Sequence, residues 1–303
     1  MIKRDVLIFA FVLILILPLA SAGIFDFITG KSTEQTTGIE ANVSNTAPTI
    51  TSVSVNATVN PSEAGTRGVA VSFIAYDHDG WADLNDSTAR LKVTRAGGLT
   101  KSVSCSKEGG NIDANSLNFT CSSFDMWYFE EAGAWGLNAT ILDNSASTAE
   151  NNTATFTYNS LTAFVLAPST ITYGALSPGN TDKKAANNPT TLNNTGNYDV
   201  AVNGILVNAT TLVGVSDAGK EIGADLFAIS EENATACTGG EGYSMINSTF
   251  VPLDAALLNR GNLSIGNETG QSLLWHCLTL VPASATKQTY STAANGAWTV
   301  KIV

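Results

Sequence analysis

The segment Tyr76–Leu84, YDHDGWADL, places three aspartates and one of the chain's two histidines within nine residues. Carboxylates so close together do one of two things. They form a tight solvated turn, and Asp79-Gly80 is a strong turn dipeptide because glycine accepts positive φ and aspartate caps its own backbone. Or they supply hard oxygen ligands to a calcium ion, which takes about six to eight oxygens. Asp77, Asp79 and Asp83 are the candidate ligands, helped by Asn85, Asp86 or backbone carbonyls. The spacing is not that of an EF-hand, since Ala75 stands where an earlier aspartate is required and no glutamate closes the loop. His78 lies between two aspartates, which favour its charged form over the neutral imidazole that a metal needs. Calcium is the one cofactor the sequence offers, and both readings stay open from the sequence alone.

Reaction chemistry is sparse elsewhere. There is no Gly-x-Ser-x-Gly, P-loop, dinucleotide fingerprint or His-Glu-x-x-His. With two histidines, few groups are suited to general acid/base work. His276, between Trp275 and Cys277, reads as a packed strand residue, although a Ser-His-Asp set assembled from distant segments is invisible to sequence. Glu130-Glu131 makes a poor glycosidase pair, because neighbours on a strand point to opposite faces. Trp81, Trp127 and Tyr128 lie near turns or strand ends, either as plugs of the core or as stacking surfaces for sugars. The expectation is a protein that is not an enzyme.

The elements that would position these residues begin behind an export signal. Residues 1–22 run from a basic start through the apolar VLIFAFVLILILPLA to Ala20-x-Ala22, as a cleavable signal peptide does. Retention as an N-terminal membrane anchor is the alternative, but the apolar run falls short of the ~20 residues a spanning helix prefers. No cysteine follows the site to carry a lipid, and no later stretch is apolar and long enough to span a bilayer. Losing Lys3, Arg4 and Asp5 takes the net charge from -11 to -12. With only 15 Lys and Arg in the chain, nucleic acid is excluded as a partner. Asn-x-Ser/Thr triplets begin at Asn42, Asn56, Asn85, Asn118, Asn138, Asn151, Asn193, Asn208, Asn233, Asn247, Asn262 and Asn267, about twice the number chance would give. Behind a signal peptide they are expected to carry glycans.

Residues 23–47 read as a flexible tether: apolar Ile24, Phe25, Phe27 and Ile28, then a polar, Thr-rich stretch. An alternative is that the apolar patch docks on a neighbouring molecule or a membrane surface. From Pro48 the period becomes two. Val53, Val55, Ala57 and Val59 share one face, and so do Val69, Val71, Phe73 and Ala75. Ala89, Leu91 and Val93, then Leu117, Phe119 and Cys121, then Trp135, Leu137, Ala139 and Ile141, and finally Ala154, Phe156 and Tyr158 repeat it. A boundary near Leu166–Ser169 opens a second series: Ile171 to Tyr173, Val200 with Val202, Ile205 with Val207, Leu274, His276, Leu278 and Leu280, and Trp298, Val300 and Ile302. Gly133-Ala134-Trp135 and Gly296-Ala297-Trp298 each feed a late strand whose tryptophan is expected to be buried. The reading is all-β, with two tandem sandwiches over 48–165 and 169–303. Of three pairings open to four cysteines, Cys105 with Cys121 and Cys237 with Cys277 keeps each disulfide within one domain.

A resemblance follows from these motifs. Asp77-x-Asp79-Gly80 with Ala82-Asp83-Leu84, then Gly133-Ala134-Trp135-x-Leu137-Asn138 and Leu142-Asp143-Asn144-Ser145, resembles immunoglobulin-like repeats of prokaryotic secreted and cell-surface proteins. The marker element of polycystic-kidney-disease repeats is missing. The second half, with Tyr173-Gly174-x-Leu176-Ser177-Pro178-Gly179, Leu192-Asn193-Asn194-Thr195-Gly196-Asn197-Tyr198-Asp199-Val200 and Leu280-Val281-Pro282, is similar to surface sandwich domains of archaea and bacteria, and more loosely to camelysin and TasA-type fibre proteins. The resemblance implies surface display or matrix assembly and brings no catalytic residue. The expected protein is a secreted, glycosylated cell-surface component with a structural or adhesive role. Its expected partners are other surface proteins, glycans or copies of itself.

Overall fold

Apolar side chains that alternate with polar ones bury one face of a strand, and most of the expected runs do form strands. The computed structural model describes residues 38–95, 100–233, 237, 242–261 and 270–303. The signal peptide (1–22) and the patch Ile24 to Ile28 lie outside the described residues. Residues 38–44 are exposed, without regular structure, and belong to a unit Met1–Ser44; the fold described below is that of Asn45–Val303. Asn45–Ala47, the last residues of the expected tether, are exposed but belong to the folded unit, and Pro48 is the first buried residue.

The first half contains β1 (Thr49–Val55), β2 (Thr58–Val59), β3 (Thr66–Val69), β4 (Val71–Tyr76), β5 (Leu84–Thr94) and β6 (Lys101–Lys107). It continues with β7 (Ser116–Cys121), β8 (Phe124–Trp127), β9 (Gly133–Asp143), β10 (Thr148–Asn151) and β11 (Thr155–Tyr158). Neighbours run β1-β4-β7-β6-β5-β9-β11-β2, with β10 on β9 and a separate β3-β8 ribbon. β6 pairs with β7 on one side and β5 on the other, so the sheet folds over and both of its parts close on one core. Phe73 stacks on Phe119 at 5.1 Å and Trp135 on Phe156 at 6.4 Å within it. The expected face Val53, Val55, Ala57, Val59 is two strands. The chain leaves β4 after Val55, exposes Ala57 and joins β11 in parallel as β2.

The second half contains β12 (Phe164–Ala167), β13 (Thr181–Lys184), β14 (Thr190–Asn194), β15 (Ile205–Asn208), β16 (Leu212–Gly214) and β17 (Glu221–Ile222). Then come β18 (Phe227–Ser230), β19 (Tyr243–Ser244), β20 (Phe250–Leu253), β21 (Gln271–Leu280), β22 (Tyr290–Ser291) and β23 (Thr299–Ile302). The sheet β12-β14-β21-β18-β19, with β13 also on β21, shares a core with β20-β15-β23, while β17-β16-β22 forms a third small sheet. Leu192, Phe227, Leu274 and Leu278 meet Ile205, Val207 and Leu253 in that core. Three expectations change. Phe164 and Leu166 pack on the second core, so the change of core falls between Tyr158 and Phe164, ahead of Leu166–Ser169. Ile171–Tyr173 is not a strand. Trp298 is only half-buried, edge-on to Phe227 at 5.1 Å, whereas Trp135 is fully buried. Both indole N–H groups donate to backbone carbonyls, Glu131 O and Thr210 O.

Polar groups join the two halves. The buried Asn197 carboxamide accepts from Leu161 N at 2.6 Å and donates to Asn159 O at 2.9 Å and Glu130 O at 3.1 Å. Ala64 N donates to Thr195 O, and Thr195 Oγ1 to Glu63 Oε1. A β-carbon on Gly196 would overlap the Leu161 carbonyl, so only glycine fits there. Glu131 carries Arg95 of the first half at 2.9 Å and Arg260 of the second at 3.8 Å.

His276, on β21, is buried with Nε2 at 2.9 Å from the equally buried Thr190 Oγ1. Burial pushes the imidazole down to about 4, because the charged form loses its water.

Two outcomes follow. Asn197→Ala leaves Leu161 N, Asn159 O and Glu130 O without their partner and is expected to lower unfolding free energy by about 2–4 kcal/mol, measured by denaturant titration. For His276 the folded pKa lies below the unfolded one, so its contribution is present above about pH 6.5 and is lost as pH falls through about 4. That loss amounts to about 3 kcal/mol. Melting temperature of His276→Gln is expected to vary less with pH across that window than that of the wild type.

Candidate metal centre

The acidic segment is a turn, and it is more than a turn. β4 ends at Tyr76, and the chain reverses through Gly80 at φ 110° into a 3-10 turn, Trp81–Asp83, that feeds β5. Gly80 N donates to Asp77 O, Asp83 N to Gly80 O and Asp79 N to Asp77 Oδ1 at 2.8 Å. Asn115, on the loop before β7, donates its amide to Asp77 O at 2.7 Å and His78 O at 3.1 Å. These bonds need only one carboxylate oxygen. Yet one carboxylate oxygen from each of Asp77, Asp79 and Asp83 lies within 4.8 Å of the other two. Asp77 is buried, Asp83 partly so and Asp79 exposed.

Sequence reasoning missed Asp143, which ends β9 opposite Leu84 and adds its charge to the field at Asp77. Its position was visible only as part of a resemblance motif, because pairing across 59 residues of chain is a property of the fold. The two buried aspartates differ. Burial also works against the Asp143 anion, but Asn45 Nδ2 at 2.9 Å and Ser147 N at 2.7 Å donate to it, and with Ser145 they hold its carboxyl below the ordinary range. Asp77 is pushed up, first by burial and then by the Asp83, Asp79 and Asp143 charges, against one hydrogen bond from Asp79 N. Its Oδ2 is buried and has no hydrogen-bond partner among the described residues. None of the four aspartates takes part in an ion pair among the described residues. The nearby Lys107 ammonium stands over the Trp81 ring at 4.2 Å instead.

The segment before β1 completes the arrangement. Thr46 N donates to Asp79 Oδ2 at 2.6 Å, and Asn45 Nδ2 also reaches Ser147 Oγ. Of the helpers expected for calcium, Asn85 accepts the Ser87 hydroxyl at its amide oxygen, and Asp86 stands outside the converging set. His78 Nδ1 faces Tyr76 Oη at 3.2 Å.

The other candidates separate. Glu130 and Glu131 lie in a loop between β8 and β9, not on a strand, and have different partners: the buried Glu130 pairs with Lys101 at 2.6 Å, and Glu131 with Arg95 and Arg260. Tyr128 is buried; Trp127, 37% exposed, stacks on Phe129, and Trp81 is 36% exposed. Both expected disulfides are formed, Cys105–Cys121 between β6 and β7 and Cys237–Cys277 anchored on β21. Loops of 16 and 40 residues correspond to about 3 and 4 kcal/mol of lost unfolded-chain entropy.

Among the acceptor asparagines, Asn42, Asn56, Asn233 and Asn247 are exposed, while Asn85, Asn118, Asn138, Asn151, Asn193 and Asn208 are half-buried. Asn118, Asn138 and Asn151 already use the amide nitrogen, on Glu108, Glu150 and Ile50 O. Asn262 and Asn267 lie outside the described residues. No helix among the described residues is long and apolar enough to cross a membrane. The sequence matches no protein-family model, and no curated protein matches it.

Proposed function

We propose that the chain is a secreted, N-glycosylated cell-surface protein with a structural or adhesive role and no catalytic activity, built from tandem immunoglobulin-like sandwiches. The observation that carries this reading is the oxidised state of all four cysteines, paired within each half, since such bonds persist in oxidising compartments. The strand order of the first half supports the immunoglobulin-like part: one layer holds β1-β4-β7, the other β5-β9-β11-β2, and the leading strand crosses between them to pair in parallel with β11. The histidines support the absence of catalysis. His276 touches a hydroxyl that is itself buried, and His78 faces a tyrosine.

Self-association as a surface fibre or coat is favoured over glycan binding by one feature. Val165 and Leu273 are 49% and 40% exposed on the outer face of β12-β14-β21, where a second copy would cover them. Trp81 and Trp127 do not form a comparable platform. Trp81 follows the far end of β4, and Trp127 pairs with Thr66 at the start of β3, roughly 30 Å away along extended chain.

The reading is tested by intact mass of the natively produced protein before and after deglycosylation and reduction, followed by glycopeptide mapping. The expected result is a chain without residues 1–22, two hydrogens gained per disulfide on reduction, and glycans at Asn56 and Asn247. Asn118, Asn138 and Asn151 are expected to be bare, because a glycan would replace one of the two hydrogens on the half-buried nitrogen each uses in the fold and crowd its partner. An unmodified chain with free thiols overturns the proposal.

A further inference from the structure

We propose that Asp77, Asp79 and Asp83 bind a calcium ion, and that the ion fixes the segment Asn45–Thr46 against the end of the first sandwich. The cluster alone does not establish this, since exposed acidic turns are common. What singles it out is Asp77, fully buried and with Oδ2 unpartnered among the described residues. A buried carboxylate oxygen without a donor is unfavourable, and two more carboxylates beside it make it worse. The fold solved the same problem for Asp143 with hydrogen-bond donors. At Asp77 it offers further negative charge, which is the arrangement a cation reverses.

Geometry and chemistry select the ion. Calcium–oxygen distances of about 2.3–2.6 Å let one ion touch oxygens up to about 5 Å apart, and the three carboxylate oxygens lie within 4.8 Å. The ligands are oxygens only, without the nitrogen or sulfur that zinc or copper prefers. One ligand comes from the end of β4, one from the turn and one from the 3-10 turn, and the exposed Asp79 leaves room for water to complete the shell. With three carboxylates in an exposed turn, affinity belongs in the sub-millimolar to millimolar range of extracellular modules.

Asp79 links the ion to the lead-in of β1. One of its oxygens accepts the Thr46 N–H, while Asn45 is held by Asp143 and Ser147. With calcium bound, Asp79 is drawn toward Asp77 and Asp83 and presents that oxygen to Thr46. Without it, like charges drive Asp79 outward and the Thr46 bond weakens. This behaviour is independent of whether the chain is exported, so its failure and that of the surface-protein reading are separable.

The experiment is terbium luminescence on the native protein, excited through Trp81 within the turn, with competition by calcium and magnesium. The expected result is sensitised emission displaced by millimolar calcium and much less by magnesium, at least tenfold weaker binding in Asp77→Asn and Asp83→Asn, and no change in Asp86→Asn. Melting temperature adds a second readout. Calcium at about ten times its dissociation constant is expected to raise the wild type by roughly 3 °C. Asp77→Asn, relieved of the buried charge, is expected to be at least as stable as the wild type without calcium and to gain nothing from it. A turn without a metal role predicts the opposite: the same stability change with and without calcium, and emission indifferent to Asp83→Asn. That result, or emission that calcium does not displace, overturns the proposal. Should Asp77→Asn fail to fold, Asp83→Asn, at a partly exposed position, carries the decision.

Discussion

The carboxamide of Asn197 is the constraint on which the arrangement of residues 45–303 rests. It stands where the chain passes from one core to the next, and it satisfies Leu161 N, Asn159 O and Glu130 O at once. A connector of a few polar residues between two sandwiches is ordinarily a hinge, because water satisfies its backbone in any orientation. Once those backbone groups are wholly or partly buried and answered by a side chain from the second half, bending the joint strands several of them. Gly196 lets that loop approach closely, and Glu131 between Arg95 and Arg260 adds a charged tie at the rim. The rim pairs contribute little on their own, since partly exposed ion pairs rarely exceed about 1 kcal/mol. The buried amide decides the geometry.

The same rule distinguishes the buried acids. Glu130 is raised by burial and eased by the Lys101 ammonium; Asp143 is held down by donors from Asn45, Ser147 and Ser145. Glu130 Oε2 is buried without a hydrogen-bond partner among the described residues, but the Lys101 cation stands beside that carboxylate. Asp77 has no such cation, and the charges around it are of its own sign. An asparagine would satisfy the Asp79 N–H equally well, so stability alone does not account for a buried carboxylate that faces two more.

Strand content was legible in the sequence because burial on one face imposes a period of two, and Ala89, Leu91, Val93 and Trp135 to Ile141 keep it without interruption. The disulfide pairing was legible because each bridge stays within one run of strands. What failed was whatever depends on three-dimensional partners. Val53 to Val59 alternates perfectly yet divides between two layers, since alternation says which side is buried and nothing about which sheet. Ile171–Tyr173 alternates and finds no neighbouring strand, while Thr181–Lys184, exposed throughout and polar, is a strand because β21 offers it an edge. At the acidic segment, the turn and the three ligands were visible locally. Asp143, Asn45 and Thr46 were not, because they arrive from 98 residues apart in the sequence and from both sides of the segment.

Position gives the two polar features of the first sandwich different consequences. The junction with the second half gathers at the end marked by Thr66, Trp127 and Tyr158, whose hydroxyl donates to Trp127 O. The aspartates gather at the other end, where β4 stops and β1 begins opposite Tyr76. A pull along the chain enters at Asn45 and passes through β1 before it reaches the core. β1 is an edge strand, hydrogen-bonded along one side to β4 and tied to β10 by the Asn151 amide at Ile50 O. Strands peel from an edge one bond at a time, so resistance depends on whatever holds the first residues in line with the ladder. Thr46 on Asp79 and Asn45 on Asp143 are those holds. The joint between the halves is fixed by a neutral amide, whereas the attachment of β1 involves carboxylates that repel one another, a repulsion that the proposed calcium ion would relieve. Under that proposal, stiffness at the lead-in is a mechanical property of the first sandwich that the surrounding medium sets.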